Sequence, residues 1–371
     1  MLQALEAAAT CGVTRLADVT RLDRIGVPVF QAVRPWGRAL SVHQGKGLTV
    51  EAAKIGALME AVESDHAETF AGPTVRRPFD DLPLDERAGT MADFAVDRDD
   101  PPSAQAPRAW VAARRLADDS RIWVPFEEVS LDFRARGDPR LQRSSNGLGA
   151  HWTLARATLK GLLEVVERDA EAKWLTLPAY RRSLDRLDIA SIPFAWLKDM
   201  RERIAGAGLD LAVYHLPTVI GLPAFAAEIV ERKAVAGTPR AVCGASCHPL
   251  AEEALLGAML EAIQSRVTLI AGVRDDIRFN DPAQPAPGFQ GFGPPLPPHI
   301  AAKPWPAVIE AGSRHGDPTS VDLAGLLASR GYPDAAAVDL SRTEGTAKVV
   351  KVFIPGLGCL ERCRRAPLAA P

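Results

Sequence analysis

Three stretches of this sequence set carboxylates inside strongly apolar helical patterns, and few folds can accommodate that. In "GLLEVVERDAEAKW" (161–174), Leu162, Leu163, Val165 and Val166 crowd around Glu164 and Glu167. In "GALMEAVES" (56–64), Glu60 and Glu63 sit among Leu58, Met59 and Val62. In "AMLEAIQSR" (258–266), Glu261 is followed three residues later by Gln264. Positions i and i+3 share one face of a helix, so each pair points one way. Two ordinary readings compete with a functional one: the acids form a solvated stripe, or they pair with Arg and Lys. The apolar crowding argues that part of each face is buried. An ionised carboxylate is costly to bury unless it is paired or bound to metal. Two like charges at ~4 Å repel by ~4 kcal/mol at an effective dielectric near 20. Two such pairs meeting in one place need divalent cations between them, and magnesium takes oxygen ligands together with substrate phosphates. Glu60, Glu63, Glu164 and Glu167 on facing helices therefore suggest a metal-nucleotide site. No Walker-type G-x-x-x-x-G-K-[ST] loop accompanies them.

Helical and strand-like patterns alternate along the 371 residues. The apolar i, i+3, i+4 spacing predicts helices over 49–70, 153–175 and 250–272, and Thr153 is placed to cap the second. "RALSVHQG", "LDLAVYHL", "AFAAEIV", "RAVCGAS" and "VVKVFIP" read as strands. The mixture predicts an α+β (mixed α/β) fold, with mixed sheets covered by helices, and a single domain over 1–371. Proline-rich long loops are expected near 72–107 and 275–306. The second reads equally as a lid or partner-contact segment and as a passive connection.

A net charge of −2 carries no signal for nucleic acid or other polyanions. No run of ~18 apolar residues predicts a membrane span. The N-terminus lacks the basic start and compact apolar run of a secretion signal, which makes the cytoplasm the expected compartment. Cys11, Cys243, Cys247, Cys359 and Cys363 are odd in number, which argues against a disulfide framework. The i, i+4 spacing within each of the last two pairs fits reduced thiols better than the tighter C-x-x-C pairs of a zinc site.

Two glycine turns bear on phosphate binding. "SVHQGKG" (41–47) begins at Ser41 and carries Lys46 after a strand pattern; glycine there lets backbone N–H groups approach an anion, though a simple surface turn reads the same. "RSSNGLGAHWT" (143–153) precedes the acidic helix, and Asn146-Gly147 favours a tight turn at a positive helix end, or a plain loop cap. The third region offers Ser246, Glu253, Glu261, Gln264 and Arg266, the last suited to phosphate or to a nearby acid.

These pieces, in this order, resemble the YcaO family. The matching places are "SVHQGKG", "GALMEAVES", "SSNGLGAHWTLARATLKGLLEVVERDA", "HPLAEEALLGAMLEAIQSR" and the tail strand "VVKVFIPGLG", together nearly the whole chain. The resemblance implies a YcaO-type fold binding ATP and magnesium without a P-loop. It implies Glu60, Glu63, Glu164 and Glu167 as metal ligands. It implies Ser41, Lys46, Asn146, Arg168, Ser246, Glu253, Glu261, Gln264 and Arg266 at the nucleotide, with Lys46, Arg168 and Arg266 stabilising charge in catalysis. The chain departs from the family pattern at Gly56, Ser64, His151 and Gly257.

The implied chemistry is ATP-dependent O-phosphorylation of a peptide backbone amide after a nucleophile has added to it. External sulfide gives a thioamide; a neighbouring Cys, Ser or Thr gives an azoline. The tail "RRAPLAAP" lacks the Pro-x-Pro-x-Pro pattern of many azoline-forming members. The segments "RIGVPVFQAVRPWGRALSVHQGKG" and "LMEAVESDHAE" look like the subgroup that works with a TfuA-type partner in thioamide formation. The expectation is thus a thioamidating enzyme of peptide biosynthesis, acting on a peptide or protein with a TfuA-type or other sulfur-delivery partner. No nucleic acid or membrane partner is expected, and a homodimer is open. A cyclodehydratase, a non-catalytic member of the fold and an unrelated carboxylate-metal hydrolase are the alternatives.

Overall fold

The computed structural model describes residues 1–233, 241–273, 301–305, 318–342 and 347–358. Cys359, Cys363, the tail "RRAPLAAP" and most of the second expected loop lie outside them. In chain order the elements are α1 (Leu2–Ala9), β1 (Arg15–Asp18), β2 (Val29–Val33), β3 (Val42–Lys46), α2 (Val50–Glu68), β4 (Thr74–Arg77), α3 (Met91–Phe94), β5 (Arg108–Arg115), β6 (Arg121–Pro125), α4 (Phe126–Val129) and β7 (Leu148–His151). There follow α5 (Leu154–Thr176), α6 (Ala179–Ser183), α7 (Ala195–Gly206), β8 (Leu209–His215), β9 (Ala224–Glu231), β10 (Ala241–Cys247), α8 (Ala251–Ala271), α9 (Ser320–Ser329), β11 (Ala336–Asp339) and β12 (Lys348–Phe353). The three acid-bearing helices and the five strands read from sequence are all present, giving the α+β class. The first expected loop holds more order than its prolines suggest. Its strand β4 lies between them and pairs antiparallel with β5, and the single-turn helix α3 is fixed by a Thr90–Asp93 capping box.

The chain forms two compact units. The first comprises Met1–Pro35, Leu40–Ala61 and Lys173–Asp317; the second comprises Trp36–Ala39, Val62–Ala172 and Pro318–Pro371. The division falls within α2 and within α5, so neither unit is a continuous stretch of sequence.

The first unit contains two three-stranded antiparallel sheets, ordered β1-β2-β3 and β10-β9-β8. In the second of these, Val213, Ala227 and Gly244 stand in register, as do Leu211, Ile229 and Val242. That face is covered by α8, whose Leu255, Met259 and Ile263 join Phe225, Ile229 and Val242 in one apolar core. Trp305 closes it, stacked on Phe225 at 5.2 Å between ring centres. By length and composition α8 would also suit a membrane, but its apolar residues are spent on β9 and β10. Gly272, left-handed at φ +61°, ends it.

The second unit is built on a six-stranded antiparallel sheet ordered β4-β5-β11-β12-β7, with β6 on the other side of β5. Trp110, Ile122, Val124, Val349 and Val352 are buried on it. The start of α5 is capped as its sequence predicts: Thr153 Oγ1 accepts the Arg156 N–H at 3.4 Å.

One local arrangement occurs three times. A Cβ on Gly45 of β3 would overlap the backbone of Ala53 and Ala57 in α2. A Cβ on Gly149 of β7 would overlap Ala157 and Gly161 in α5, and one on Gly244 of β10 would overlap Ala258 and Ala262 in α8. Each strand thus presents a glycine to the following helix at the carbonyl of one residue and the N–H of the residue four further on. No side chain fits such an approach, so the glycines set how closely helix and strand pack. The contact also sets a common register. Glu60 and Glu63 lie seven and ten residues beyond the first contact residue of α2, and Glu164 and Glu167 lie at the same offsets in α5. In α8 those offsets fall on Ser265 and Thr268, so Glu261 and Gln264 sit about a turn earlier than the sequence pattern alone equates them.

Candidate active site

Glu63, Glu164 and Glu167 of the second unit lie on α2 and α5. Glu63, on α2, is buried; its Oε1 accepts the Ala150 N–H of β7 at 2.8 Å and an ion pair from Lys160 of α5. Glu164 and Glu167 lie on α5 a turn apart. Glu167 is buried and pairs with Arg168 at 3.5 Å, while Arg168 also reaches the buried Glu171 at 3.1 Å. Glu164 keeps a little surface open, yet protein surrounds it closely enough that desolvation dominates. Its carboxyl is pushed from 4.5 up to about 7 by burial, with Glu63 adding repulsion and Arg168, Lys160 and Lys351 opposing it.

The turn before β7 is fixed from beneath. Lys351, buried in the middle of β12, donates to the carbonyls of Ser144 (2.5 Å) and Asn146 (2.6 Å). Gly147 takes φ +83°, as the Asn-Gly turn predicts, and its carbonyl receives Val352 N–H at 2.8 Å. The Asn146 Oδ1 is buried with no hydrogen-bond partner, and it lines a cavity shared with Glu128, Gln142 and Ser144.

In the first unit, Gln44 of β3 is the organising residue. Its N–H donates to Glu60 at 2.6 Å, and its Oε1 accepts from Thr268 and from Gln264 (3.4 Å), both on α8. Lys46 pairs with Glu261 at 3.5 Å. Ser246, on β10, faces Gly257 of α8 so closely that a Cβ there would strike its Oγ. A basic side chain at Gly257 would thus displace Ser246. Ser41 lies at the far end of β3, roughly 16 Å from Lys46 at the strand's rise per residue, so the two do not serve one phosphate. Glu253 is exposed in the first turn of α8, where it favours the positive helix end.

Arg266 has a different employment from the one the resemblance gives it. It is 1% exposed, and its guanidinium bonds Asp23 at 2.8 Å and Glu231 at 2.6 Å, with Arg24 also on Glu231 at 2.6 Å. Its charge is neutralised inside the first unit and ties α8 to β9. Two further cations were not singled out in the sequence. Lys160 had a visible signal, standing four residues before Glu164 on one helix; Lys351 had one too, as a lone charge in "VVKVF".

The donors around Glu164 fit a magnesium ion. They are all oxygen, and burial holds one of them partly protonated near neutrality. The adjoining turn supplies a backbone poised at a helix start and an acceptor without a donor. Fold and site together define a carboxylate-rich, non-P-loop nucleotide site on an α+β scaffold.

The chain belongs to the YcaO family: residues 44–358 match the model described as YcaO cyclodehydratase, ATP- and Mg2+-binding. ATP and magnesium are the cofactors of that family. A protein in the tfuA 3′ region of Rhizobium leguminosarum bv. trifolii is 38% identical over 270 residues, covering 71% of this chain and 64% of that protein. Among solved structures, YcaO from Methanopyrus kandleri bound with AMPPCP and Mg2+ superposes with a TM-score of 0.72 at 23% identity, covering 95% of this chain and 88% of that one. A heterocyclase in complex with substrate and cofactor gives 0.77 at 21% identity, covering 96% of this chain. The chain spans 52% of that heterocyclase, about half its length.

Proposed function

We propose that this protein activates a peptide backbone amide by ATP- and magnesium-dependent O-phosphorylation, installing a thioamide in a ribosomally made peptide or a protein with a TfuA-type partner. The observation that carries the reading is the buried Glu63, Glu164 and Glu167 set beside the Asn146 turn in a YcaO fold. The relative in the tfuA 3′ region and the N-terminal segments quoted above favour sulfide as nucleophile.

In the net reaction, hydrosulfide and ATP convert the amide to a thioamide, ADP and phosphate. The C–S bond forms, the amide C–O bond breaks, and the hydrosulfide proton leaves on phosphate. Glu63, Glu164 and Glu167 would hold magnesium; bound there, the ion neutralises phosphate charge. Phosphoryl transfer asks the protein for position and charge rather than covalent help. Arg168 already lies against Glu167 and would share its positive charge with a phosphate. The backbone of the Asn146-Gly147 turn, braced by Lys351, would hold the nucleotide against the start of α5. Within the first unit, Gln44 fixes Gln264 and Glu60.

The test is incubation of the full chain with its partner, ATP, magnesium, sulfide and a peptide encoded beside the gene. The expected product carries sulfur in place of one oxygen, with one phosphate released per modification. Arg168→Ala and Glu164→Gln should each abolish both. Phosphate release that Glu164→Gln leaves at the wild-type rate would overturn the assignment, and a product one water lighter would replace thioamidation with cyclodehydration.

A further inference from the structure

Trp36 is 84% exposed, and Phe133, also in the second unit, is 57% exposed. Large aromatic side chains so open to water are uncommon unless something covers them. These two are held in place from below. Arg134 donates to the carbonyls of Trp36 (3.3 Å) and Gly37 (2.9 Å), and Arg38 pairs with Asp132 at 2.7 Å. The Ala39 N–H donates to Glu68 at 3.1 Å. The Arg143 guanidinium lies 5.7 Å from the Phe133 ring centre and bonds the Ala135 carbonyl at 3.1 Å. Segments 36–39 and 132–143 are thereby stitched into one fixed platform.

The platform is positive. Its two segments carry Arg38, Arg134, Arg136, Arg140 and Arg143 against Asp132 and Asp138, an excess of three positive charges within the segments on a chain whose net charge is −2, with Glu68 and Glu127 beside them. Arg38 and Arg140 are paired with the two aspartates. Arg134 and Arg143 spend their bonds on carbonyl oxygens, and Arg136 is exposed.

We infer that this platform docks an acidic segment of a partner polypeptide. Tryptophan and arginine are the residues that concentrate binding energy at protein interfaces, and here both are pre-ordered, which lowers the entropy cost of docking. The excess positive charge selects an acidic partner and speeds its approach. A nucleic acid is a poorer match: Asp132 and Asp138 are interleaved with the arginines and would face its phosphates. The inference stands apart from the amide chemistry and needs no nucleotide.

The experiment uses the full chain without ATP and a fluorescein-labelled synthetic peptide of alternating Glu and Phe, followed by anisotropy. Wild type should bind, and added salt should weaken it. Trp36→Ala and Arg136→Glu should each weaken binding by roughly tenfold or more, while Leu84→Ala, an exposed apolar residue elsewhere in the unit, should leave it unchanged. All three are surface changes, and unaltered thermal unfolding would confirm that they fold. Equal binding by wild type and both platform variants, or none by any, would overturn the inference. So would tighter binding of a single-stranded oligonucleotide of equal charge. Concentration-dependent self-association lost in Trp36→Ala would overturn it in favour of a second copy of this chain.

Discussion

At Glu164 burial and charge conflict, and the conflict has a measurable sign. Its native carboxyl titrates at about 7, against 4.5 for the ordinary group. Between those values the unfolded chain has lost this proton and the native chain keeps it. Native stability without metal therefore falls as pH rises from 4.5 to 7, by on the order of 3 kcal/mol for this group, and levels off above. Urea midpoints in chelator from pH 5 to 8 should show that fall in wild type and not in Glu164→Gln. Parallel profiles would mean that the carboxyl is not strained. Magnesium competes with the proton, so its apparent affinity should rise with pH up to about 7 and then flatten. Arg266 makes the opposite case. Its removal leaves Asp23 buried without a cation, so Arg266→Ala should lose about 3–5 kcal/mol in the same titration, with or without nucleotide. Arg168→Ala, at a half-buried site, should lose far less stability while losing phosphate release. A stable, inactive Arg266→Ala would restore that residue to the ligand.

At the scale of elements, the three glycine contacts explain why acids at seven and ten residues past the contact matter in α2 and α5 and not in α8. Gly149→Ala should force β7 and α5 apart at Ala157 and cost about 1–3 kcal/mol or more, and Gly45→Ala should do the same for β3 and α2. Gly325→Ala is the control with the reverse sign. Gly325 is inside α9 with open space around it, so alanine there should stabilise by about 0.5–1 kcal/mol. Denaturant midpoints of the three variants decide the matter. These elements also show what the sequence made legible. Apolar periodicity located all three helices, and short apolar stretches located five of the strands, because both depend on near neighbours. The register of α8 was not legible: Glu261 and Gln264 copy the spacing of the other pairs, but only the Gly244 contact shows which turn they occupy. The ion pairs of Arg266 were not legible for the same reason, since Asp23 and Glu231 are remote in sequence. Proline density hid β4, whose ladder lies between the prolines.

For the whole molecule, the relevant quantity is how a ligand that binds only the native chain shifts the folding equilibrium. Each unit is assembled from separated stretches of sequence, and the boundary between them cuts α2 between Glu60 and Glu63. A ligand held by Glu63, Glu164 and Glu167 is therefore linked to a unit that no single segment forms alone. Magnesium with ATP at a hundred times its dissociation constant stabilises the native state by about 2.7 kcal/mol through mass action. With the unfolding entropy of a chain this long, that raises the midpoint by roughly 3 °C. The shift should appear in scanning calorimetry with magnesium and ATP together. It should vanish with chelator and be absent in the Glu164→Gln, Glu167→Gln double variant, whose own midpoint in chelator should be no lower than that of wild type because the burial strain at Glu164 is gone. That last comparison separates a binding role from a structural one. If the acids merely solvated or braced the helix, their removal would lower the midpoint and leave the nucleotide shift intact. If they are kept for metal, their removal costs the bare protein nothing and abolishes the shift.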